Sequence, residues 1–385
     1  MKIKKEFTVR DLYGEDVLVP VGETAKSFKG IIKMNNKVND SSILVSILIT
    51  NYNGEKFIDQ SLESVVNQTY KNIEIIVGDD ASTDGSVTLI KRWQKIDPRI
   101  KLLVNKENKG IGYQRNNLIA NAKGQYFCFL DGDDFYNPRA VESLIRPVYK
   151  KRHDIDIISG KVWWQGITEE KQIVKWKMPF FVNTWMFRTK NDAIKYIRRN
   201  LGIVFHGVLF NKKYYDSLNY KFDEHHIFED IGSMIYIFLK AKTFYPVNYV
   251  CYNYVRRKNS LSNFKTMNFK QIHDALWQFD NILKILYKEK MLYKKKYMKA
   301  IMSWFCGIGF LILQLEGHAK KINSENLHDV KLIFSRYKYQ FLYLIFIKYR
   351  LDIEYRCSWW KFIIKIFMKI GFMHEMKAIN NVRKK

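Results

Sequence analysis

The feature that most constrains the fold is a regular alternation of apolar runs and helical patterns between residues 43 and 131. The apolar runs cover residues 43–50, 73–78, 100–104 and 127–130. Between the first two runs, Ile58, Leu62 and Val65 recur at helical spacing. Short apolar runs separated by helices are typical of strands buried in a parallel sheet with right-handed crossovers. We therefore predict the α/β class, with a mostly parallel, Rossmann-like central sheet.

Polar clusters follow three of these runs, at residues 51–54, 79–85 and 131–134. Open parallel sheets bind ligands at the carboxyl ends of their strands. The last cluster, Asp131-Gly132-Asp133-Asp134, holds three carboxylates that repel one another unless a cation compensates them. Hard oxygen donors suit Mn²⁺ or Mg²⁺ held together with substrate phosphates. The alternative is a solvated acidic turn before a helix that starts at Asn137-Pro138.

The composition narrows the location and the partners. A net charge of +27 over 385 residues predicts attraction to anions, without choosing among nucleotide phosphates, anionic lipid headgroups and nucleic acid. The sequence lacks the aromatic and basic platforms of nucleic-acid-binding modules, which argues against a nucleic-acid partner. Four dispersed cysteines, the lack of a signal peptide and a longest apolar run of residues 300–315 predict a cytoplasmic protein.

The pattern divides the chain into three parts, which are residues 1–40, 41–265 and 266–385. The last part is helical, and residues 359–369 form a basic, aromatic-rich amphipathic pattern. Such a helix suits peripheral contact with an anionic membrane surface, here the inner face of the cell membrane. Packing on residues 41–265 or on another subunit of a homo-oligomer is the alternative.

Residues 7–21 read as a β-hairpin, and residues 28–34 as a third strand. This stretch resembles the start of peptide-recognition domains of the coenzyme PQQ synthesis protein D type. The resemblance covers about 35 residues and lacks the helices that follow in that family. It implies either a peptide-gripping unit or a structural appendage.

Residues 45–134 carry four motifs in order, which are Ile49-Thr50-Asn51-Tyr52-Asn53, Asp79-Asp80-Ala81-Ser82-Thr83-Asp84, Asn108-Lys109-Gly110 with Arg115-Asn116, and Asp131-Gly132-Asp133-Asp134. Together they resemble family 2 glycosyltransferases, which have the GT-A nucleotide-sugar fold. The resemblance continues less sharply to about residue 262. It implies a nucleotide-sugar donor and a divalent metal. It also implies an acceptor, which is a glycan, a lipid-linked glycan or a peptide.

The resemblance also implies roles for individual residues on the donor side. Thr50, Tyr52 and Asn53 would line the base pocket, and either Asp79 or Asp80 would accept a hydrogen bond from uracil. Arg115 would support the base or the acidic turn. Asp131 with Gly132 would hold the ribose, and Asp133 would bind the metal. A basic loop within residues 252–262 would close over the diphosphate, and it carries Arg256, Arg257 and Ser260. Helix capping is the alternative for the acids at residues 79–80, and a solvated turn is the alternative for the loop.

The acceptor side has its own candidates. Phe228-Glu229-Asp230 resembles the family's Glu-Asp pair, which makes Asp230 the general base and Glu229 its orienting neighbour. An ordinary acid pair at a helix N-terminus is the alternative. His225, His226 and the pair His206-Gly207 are weaker candidates near metal or sugar, and Trp163-Trp164 would stack on sugar rings or pack in the core.

The sequence therefore predicts an inverting, metal-dependent glycosyltransferase that uses a UDP-sugar to build a bacterial surface or lipid-linked glycan. The alternative is a peptide- or protein-modifying transferase, or a peptide-binding scaffold, that recruits its substrate through the N-terminal unit. The fold does not identify the sugar or the acceptor.

Overall fold

The computed structural model describes residues 42–151, 154–167, 173–175, 205–256, 269–291 and 297. Several predictions lie outside these residues, namely the N-terminal hairpin, the loop positions Arg257 and Ser260, and the basic amphipathic pattern at residues 359–369.

The first part of the domain alternates strands and helices as the periodicity predicts. The strands are β1 (Val45–Asn51), β2 (Ile73–Asp79), β3 (Ile100–Val104) and β4 (Tyr126–Asp131). The helices between them are α1 (Ile58–Val66), α2 (Ser86–Ile96) and α3 (Ile111–Asn121). All residues of β1 are buried, and so are the first five of β4. This pattern is expected of strands covered on both faces.

The second part is less regular. It contains β5 (Phe135–Tyr136), α4 (Ala140–Lys151), β6 (Ile157–Ile167), β7 (Ile173–Lys175), β8 (Val208–Asn211), α5 (Lys212–Ser217), α6 (Asp230–Lys240), β9 (Phe244–Arg256) and α7 (Phe269–Lys288). Residues 205–207 form a turn directly before β8. Gly207 has a φ of 68°, a left-handed conformation that glycine adopts without steric cost.

Among the described residues, one sheet contains all nine strands in the order β3-β2-β1-β4-β8-β6-β9-β5, and β7 pairs with β6. The four strands β3, β2, β1 and β4 are mutually parallel, which confirms the predicted crossovers. The strand β8 runs antiparallel to both β4 and β6, whereas β6 and β9 are parallel. The mixed α/β class is therefore confirmed, and the parallel half of the sheet carries the predicted ligand edge.

The assignment of residues 252–262 to a loop is wrong for its first part. Residues 252–256 belong to β9, where Tyr252 pairs with Tyr136 of β5 and with Val162 of β6. Tyr252 is fully buried, so this stretch is core strand rather than a solvated turn. The pairing with β5 brings β9 alongside the acidic turn that follows β4.

The helix α7 begins the predicted C-terminal region and packs against α6. A Cβ atom on Gly232 of α6 would lie 2.7 Å from Cβ of Ile282, so the glycine permits this close approach. Ile282 and Leu286 are buried. Within the described residues, no helix combines the length and apolar character needed to cross a membrane.

Candidate active site

The strand register brings the three polar clusters to one edge of the sheet. Thr50 of β1 is aligned with Asp131 of β4, and Asn51 is aligned with Asp79 of β2. The amide of Gly132 donates to the Thr50 carbonyl at 2.8 Å, and the Asn51 side chain donates to Asp79 at 2.7 Å. The clusters that are about 30 to 80 residues apart in sequence are therefore adjacent in the fold.

Asp131 is the centre of this edge. Its Oδ1 accepts hydrogen bonds from Thr50 Oγ1 at 3.1 Å and from the Arg115 guanidinium at 3.3 Å. Its Oδ2 lies 3.3 Å from His206 Nε2. Burial alone would raise the pKa of Asp131, but the hydrogen bond from His206 and the positive charge of Arg115 hold this pKa well below its usual range. Asp131 is therefore a stable carboxylate, and a quarter of its side chain is exposed.

Asp134 lies in the same turn and has the opposite electrostatic character. It is 2% exposed, and its oxygens accept hydrogen bonds from the Tyr252 hydroxyl at 2.6 Å and the Val255 amide at 2.7 Å. Burial and the nearby carboxylates of Asp133 and Asp131 raise the pKa of Asp134 well above its usual value. Asp134 thus ties the acidic turn to β9.

His206 reaches this turn from the loop before β8. One donor atom from each of Asp131, Asp134 and His206 lies within 4.8 Å of the others, a grouping that could hold a metal ion. His206 Nδ1 is buried and has no hydrogen-bond partner among the described residues. Two carboxylates with one imidazole fit a divalent cation. Asp133, to which the resemblance assigns the metal, is half-buried in the same turn and lies outside this group.

Asp79 and Asp80 are buried and fully engaged within the protein. Asp79 accepts from Asn51 and from both the amide and the hydroxyl of Ser82, at 2.7 to 2.9 Å. Asp80 accepts from the Asn105 side chain at 2.8 Å and from the Gly110 amide at 2.7 Å. These bonds give both acids a role in shaping the loops. Such a role is close to the helix capping that the sequence offered as the alternative to contact with the base.

The loop after β1 forms an exposed part of this edge of the sheet. Tyr52 is 52% exposed, which leaves its ring face open for stacking. The neighbouring Asn53 does not point freely into solvent, because its Oδ1 accepts from the Thr83 amide at 2.8 Å. The Asn53 amide donates to Ser82 Oγ, also at 2.8 Å. Asn53 therefore fastens the β1 and β2 loops together beside Tyr52.

Arg115 of α3 connects the two predicted halves of the site. Its guanidinium forms ion pairs with both Asp131 and Glu229, and the Arg115 and Glu229 side chains are only 5% and 3% exposed. The guanidinium carbon lies 3.9 Å from the ring centroid of Phe205 and 5.8 Å from that of Phe129. Such a desolvated, aromatic-lined ion pair fixes both carboxylates.

Asp230 is the first residue of α6, and it directly follows the buried Glu229. The preceding residue, Phe228, has a φ of 63°, which is unusual for a bulky side chain. Such strain persists only where the surroundings impose it, and it clusters at functional sites. The pair Glu229-Asp230 is therefore held in one defined backbone geometry.

Some predicted residues are not brought into this cluster. Trp163 lies on β6, where it pairs with Asn253 of β9. Arg256 ends β9, and only its backbone is described. Two residues of the site were not predicted from the sequence, namely Tyr252, which joins the acidic turn to β9, and Phe205, which covers Arg115. An alternating Tyr252-Asn253-Tyr254 pattern was the available signal for a strand at this point.

These features define a class of protein, namely an α/β domain with an acidic edge at its strand ends and a second acid pair that Arg115 joins to this edge. Residues 46–219 match the family described as Glycosyl transferase family 2. The chain is 30% identical over 238 residues to the Escherichia coli UDP-Glc:alpha-D-GlcNAc-diphosphoundecaprenol beta-1,3-glucosyltransferase WfgD, covering 61% of this chain and 86% of that protein. The chain belongs to glycosyl transferase family 2.

Other similarities are more partial. An uncharacterized glycosyltransferase of Haemophilus influenzae is 33% identical over 189 residues, which are 46% of this chain and 58% of that protein. Putative glycosyltransferase EpsE of Bacillus subtilis is 40% identical over 28% of this chain and 40% of its own length. The chain thus spans about half the length of these curated relatives. The structure of Staphylococcus aureus TarS 1-349 with UDP-GlcNAc aligns with a TM-score of 0.48 and 15% identity, over 76% of this chain and 92% of that one.

Proposed function

We propose that the protein is an inverting, metal-dependent glycosyltransferase that moves a sugar from a UDP-sugar to a hydroxyl group of a lipid-linked bacterial glycan. The observation that carries the proposal is the Arg115 bridge, because it joins Asp131 on the predicted donor side to Glu229, the neighbour of Asp230. A transferase needs a donor site and a base held in fixed relation to each other.

On the donor side, Tyr52 would stack on the base and Asp131 would accept a hydrogen bond from the ribose. Asp131 suits this role because it is a carboxylate with a partly exposed side chain. Asp79 and Asp80 would shape the base pocket through the loops that they fasten. The name of the relative WfgD, a UDP-Glc-dependent transferase, supports the choice of UDP.

Four residues would hold Mn²⁺ or Mg²⁺. The resemblance assigns this role to Asp133, and the geometry supports Asp131, Asp134 and His206 as metal ligands. When bound, a divalent cation neutralises charge on the diphosphate leaving group. The strongly shifted pKa values of Asp131 and Asp134, in opposite directions, support a site that is organised for charge.

On the acceptor side, Asp230 would take the proton from the attacking hydroxyl. The oxygen of that hydroxyl forms a bond to the anomeric carbon while the bond from that carbon to the diphosphate oxygen breaks. One base and one displacement invert the anomeric configuration. Glu229 would not exchange protons, because it is buried in its ion pair with Arg115.

The first test is a thermal-shift panel of UDP, GDP and their sugars, each with and without MnCl₂. A bound donor stabilises the fold by mass action, so the UDP-sugars should raise the melting temperature more with the metal than without it. The second test compares Asp133→Ala and Asp230→Asn in transfer to GlcNAc-diphosphoundecaprenol. The proposal fails if neither variant loses transfer. If GDP and its sugars raise the melting temperature as much as UDP and its sugars do, the donor assignment is contradicted.

The alternative with a peptide acceptor rests on residues 1–35, which lie outside the described residues. Peripheral membrane contact and homo-oligomerisation likewise stay predictions from the sequence. Binding to anionic vesicles would test the membrane contact, and a measured solution mass would test the homo-oligomer.

A further inference from the structure

One face of α7 lies against the loop that leads into Asp230. The face consists of Asp274, Trp277 and Gln278, which are spaced i, i+3 and i+4 and therefore share one side of the helix. Asp274 and Gln278 are only 3% and 4% exposed. Two buried polar side chains on one helix face require defined partners.

Their partners are backbone groups of the loop. The Ile227 amide donates to Asp274 Oδ2 at 3.3 Å, and Gln278 Nε2 donates to the His226 carbonyl at 3.2 Å. The His226 ring stacks on the Trp277 indole with 3.8 Å between centroids and 13° between planes. The α7 face thus contacts two consecutive residues that precede Phe228.

The start of the same loop is folded onto itself and onto α3. Asp223 Oδ1 accepts the amides of His225 and His226 at 3.1 and 2.7 Å, and it pairs with His226 Nδ1 at 2.8 Å. Asn116 of α3 exchanges two hydrogen bonds of 2.9 Å with the backbone of Phe222. The loop is therefore fixed from two sides.

Phe228, with its left-handed backbone, lies between two attached segments of the chain. A strained residue of this kind relaxes unless its neighbours hold it. The α7 face holds the chain immediately before Phe228, and the Arg115 ion pair holds Glu229 immediately after it. Asp230, the first residue of α6, directly follows these attached residues.

We propose that the Asp274, Trp277 and Gln278 face of α7 is a positioning element for Asp230, so that the first helix of the C-terminal region belongs to the catalytic apparatus. This inference rests on the proposed function, in which Asp230 is the base. The three residues act through the loop, not by touching the sugars. Their loss should slow transfer and leave nucleotide binding unchanged.

The test uses the full chain with Gln278→Glu and Trp277→Leu. The first change is nearly isosteric, but it replaces a donating amide by a carboxylate that faces the His226 carbonyl and the Asp223 carboxylate. Trp277→Phe is the conservative rescue, because it keeps an aromatic ring under His226. Lys288→Ala, at the exposed end of α7, and Ile282→Val, at the α6 contact, are controls for the helix and for general stability.

With UDP-glucose and GlcNAc-diphosphoundecaprenol, we expect kcat to fall at least about tenfold in Gln278→Glu and Trp277→Leu, since small displacements of a catalytic group are costly. The KM for UDP-glucose and the melting shift with UDP should stay within twofold of the parent. Trp277→Phe should recover most of kcat. Equal losses in Ile282→Val would overturn the inference, because they would reveal a general effect of stability.

Hydrogen exchange supplies a readout that needs no substrate. Amides at residues 224–230 should exchange faster in Gln278→Glu, whereas those at residues 126–131 should be unchanged. Unaltered exchange at 224–230 would overturn the positioning role. If Asp230→Asn retains full transfer, the assignment of Asp230 as the base fails, and the proposed function fails with it. If Asp230→Asn loses transfer but Gln278→Glu and Trp277→Leu retain it, only the α7 inference fails.

Discussion

Replacing Arg115 by methionine should be among the most damaging single changes in the described part of the chain. Methionine keeps much of the side-chain volume but leaves Glu229 as a buried carboxylate without its ion-pair partner. Removing one partner of a buried ion pair costs about 3–5 kcal/mol. With both side chains 5% exposed or less, the Arg115 pair lies in this regime. We expect a loss of about 4 kcal/mol in unfolding free energy.

The same bridge can be separated into its parts by a double-mutant cycle. Glu229→Gln leaves Arg115 paired with Asp131 and packed on Phe205, so its cost should be about 1–2 kcal/mol. The double variant removes the uncompensated charge and should be no worse than about 2 kcal/mol below the parent. The two changes should therefore be coupled by about 3 kcal/mol, far beyond the roughly 0.5 kcal/mol scatter of independent sites.

The assay is urea unfolding followed by circular dichroism, with the slope checked for a single transition. Arg92→Met is the matched control, since Arg92 pairs with Asp59 where both side chains are about half exposed. Such a pair contributes about 0–1 kcal/mol. If Arg115→Met costs no more than Arg92→Met, or if the cycle is additive, the reasoning about a buried bridge is wrong.

Three further predictions concern single positions. Tyr252→Phe removes a buried hydroxyl with two hydrogen bonds and should cost about 2–3 kcal/mol in urea unfolding; a cost below 1 kcal/mol would contradict those bonds. Gly112→Ala puts a Cβ atom onto the Asp223 carbonyl oxygen, so it should lower transfer and speed hydrogen exchange in that loop; unchanged activity would refute this contact. Hydrogen bonds from Arg99 hold the pKa of Asp97 below its ordinary value, so the associated stability should be lost as pH falls below about 4. Asp97→Asn should flatten that part of a pH series of unfolding free energies.

Local pattern was sufficient to predict the parallel half of the sheet. The run at residues 100–104 became β3 with the same bounds, and the helical pattern at Ile58 and Leu62 became α1. These elements follow from periodicity and burial, which neighbouring residues determine. The alignment of the polar clusters also follows, because parallel strands place their carboxyl ends at the same edge.

The contacts within the site depend on partners that are distant in sequence. Nothing near Asp134 indicates that its carboxylate bonds to Tyr252, 118 residues later. The loop predicted from residue 252 was wrong at its start, because the basic residues 256–258 directly follow the alternating pattern of a buried strand. The Arg115 role was left open between base and acidic turn, and its contact with Glu229, 114 residues away in sequence, has no local signal.

The attachment of Asp134 to β9 has a consequence for the order of events during synthesis. Its two partners, Tyr252 and Val255, follow it by 118 and 121 residues. At about 5–20 residues per second, the ribosome needs roughly 6–24 seconds to add that length of chain. Until then the acidic turn lacks its buried anchor. A nascent chain that already contains Asp131, Asp133 and Asp134 therefore has an unanchored acidic turn until β9 emerges and docks.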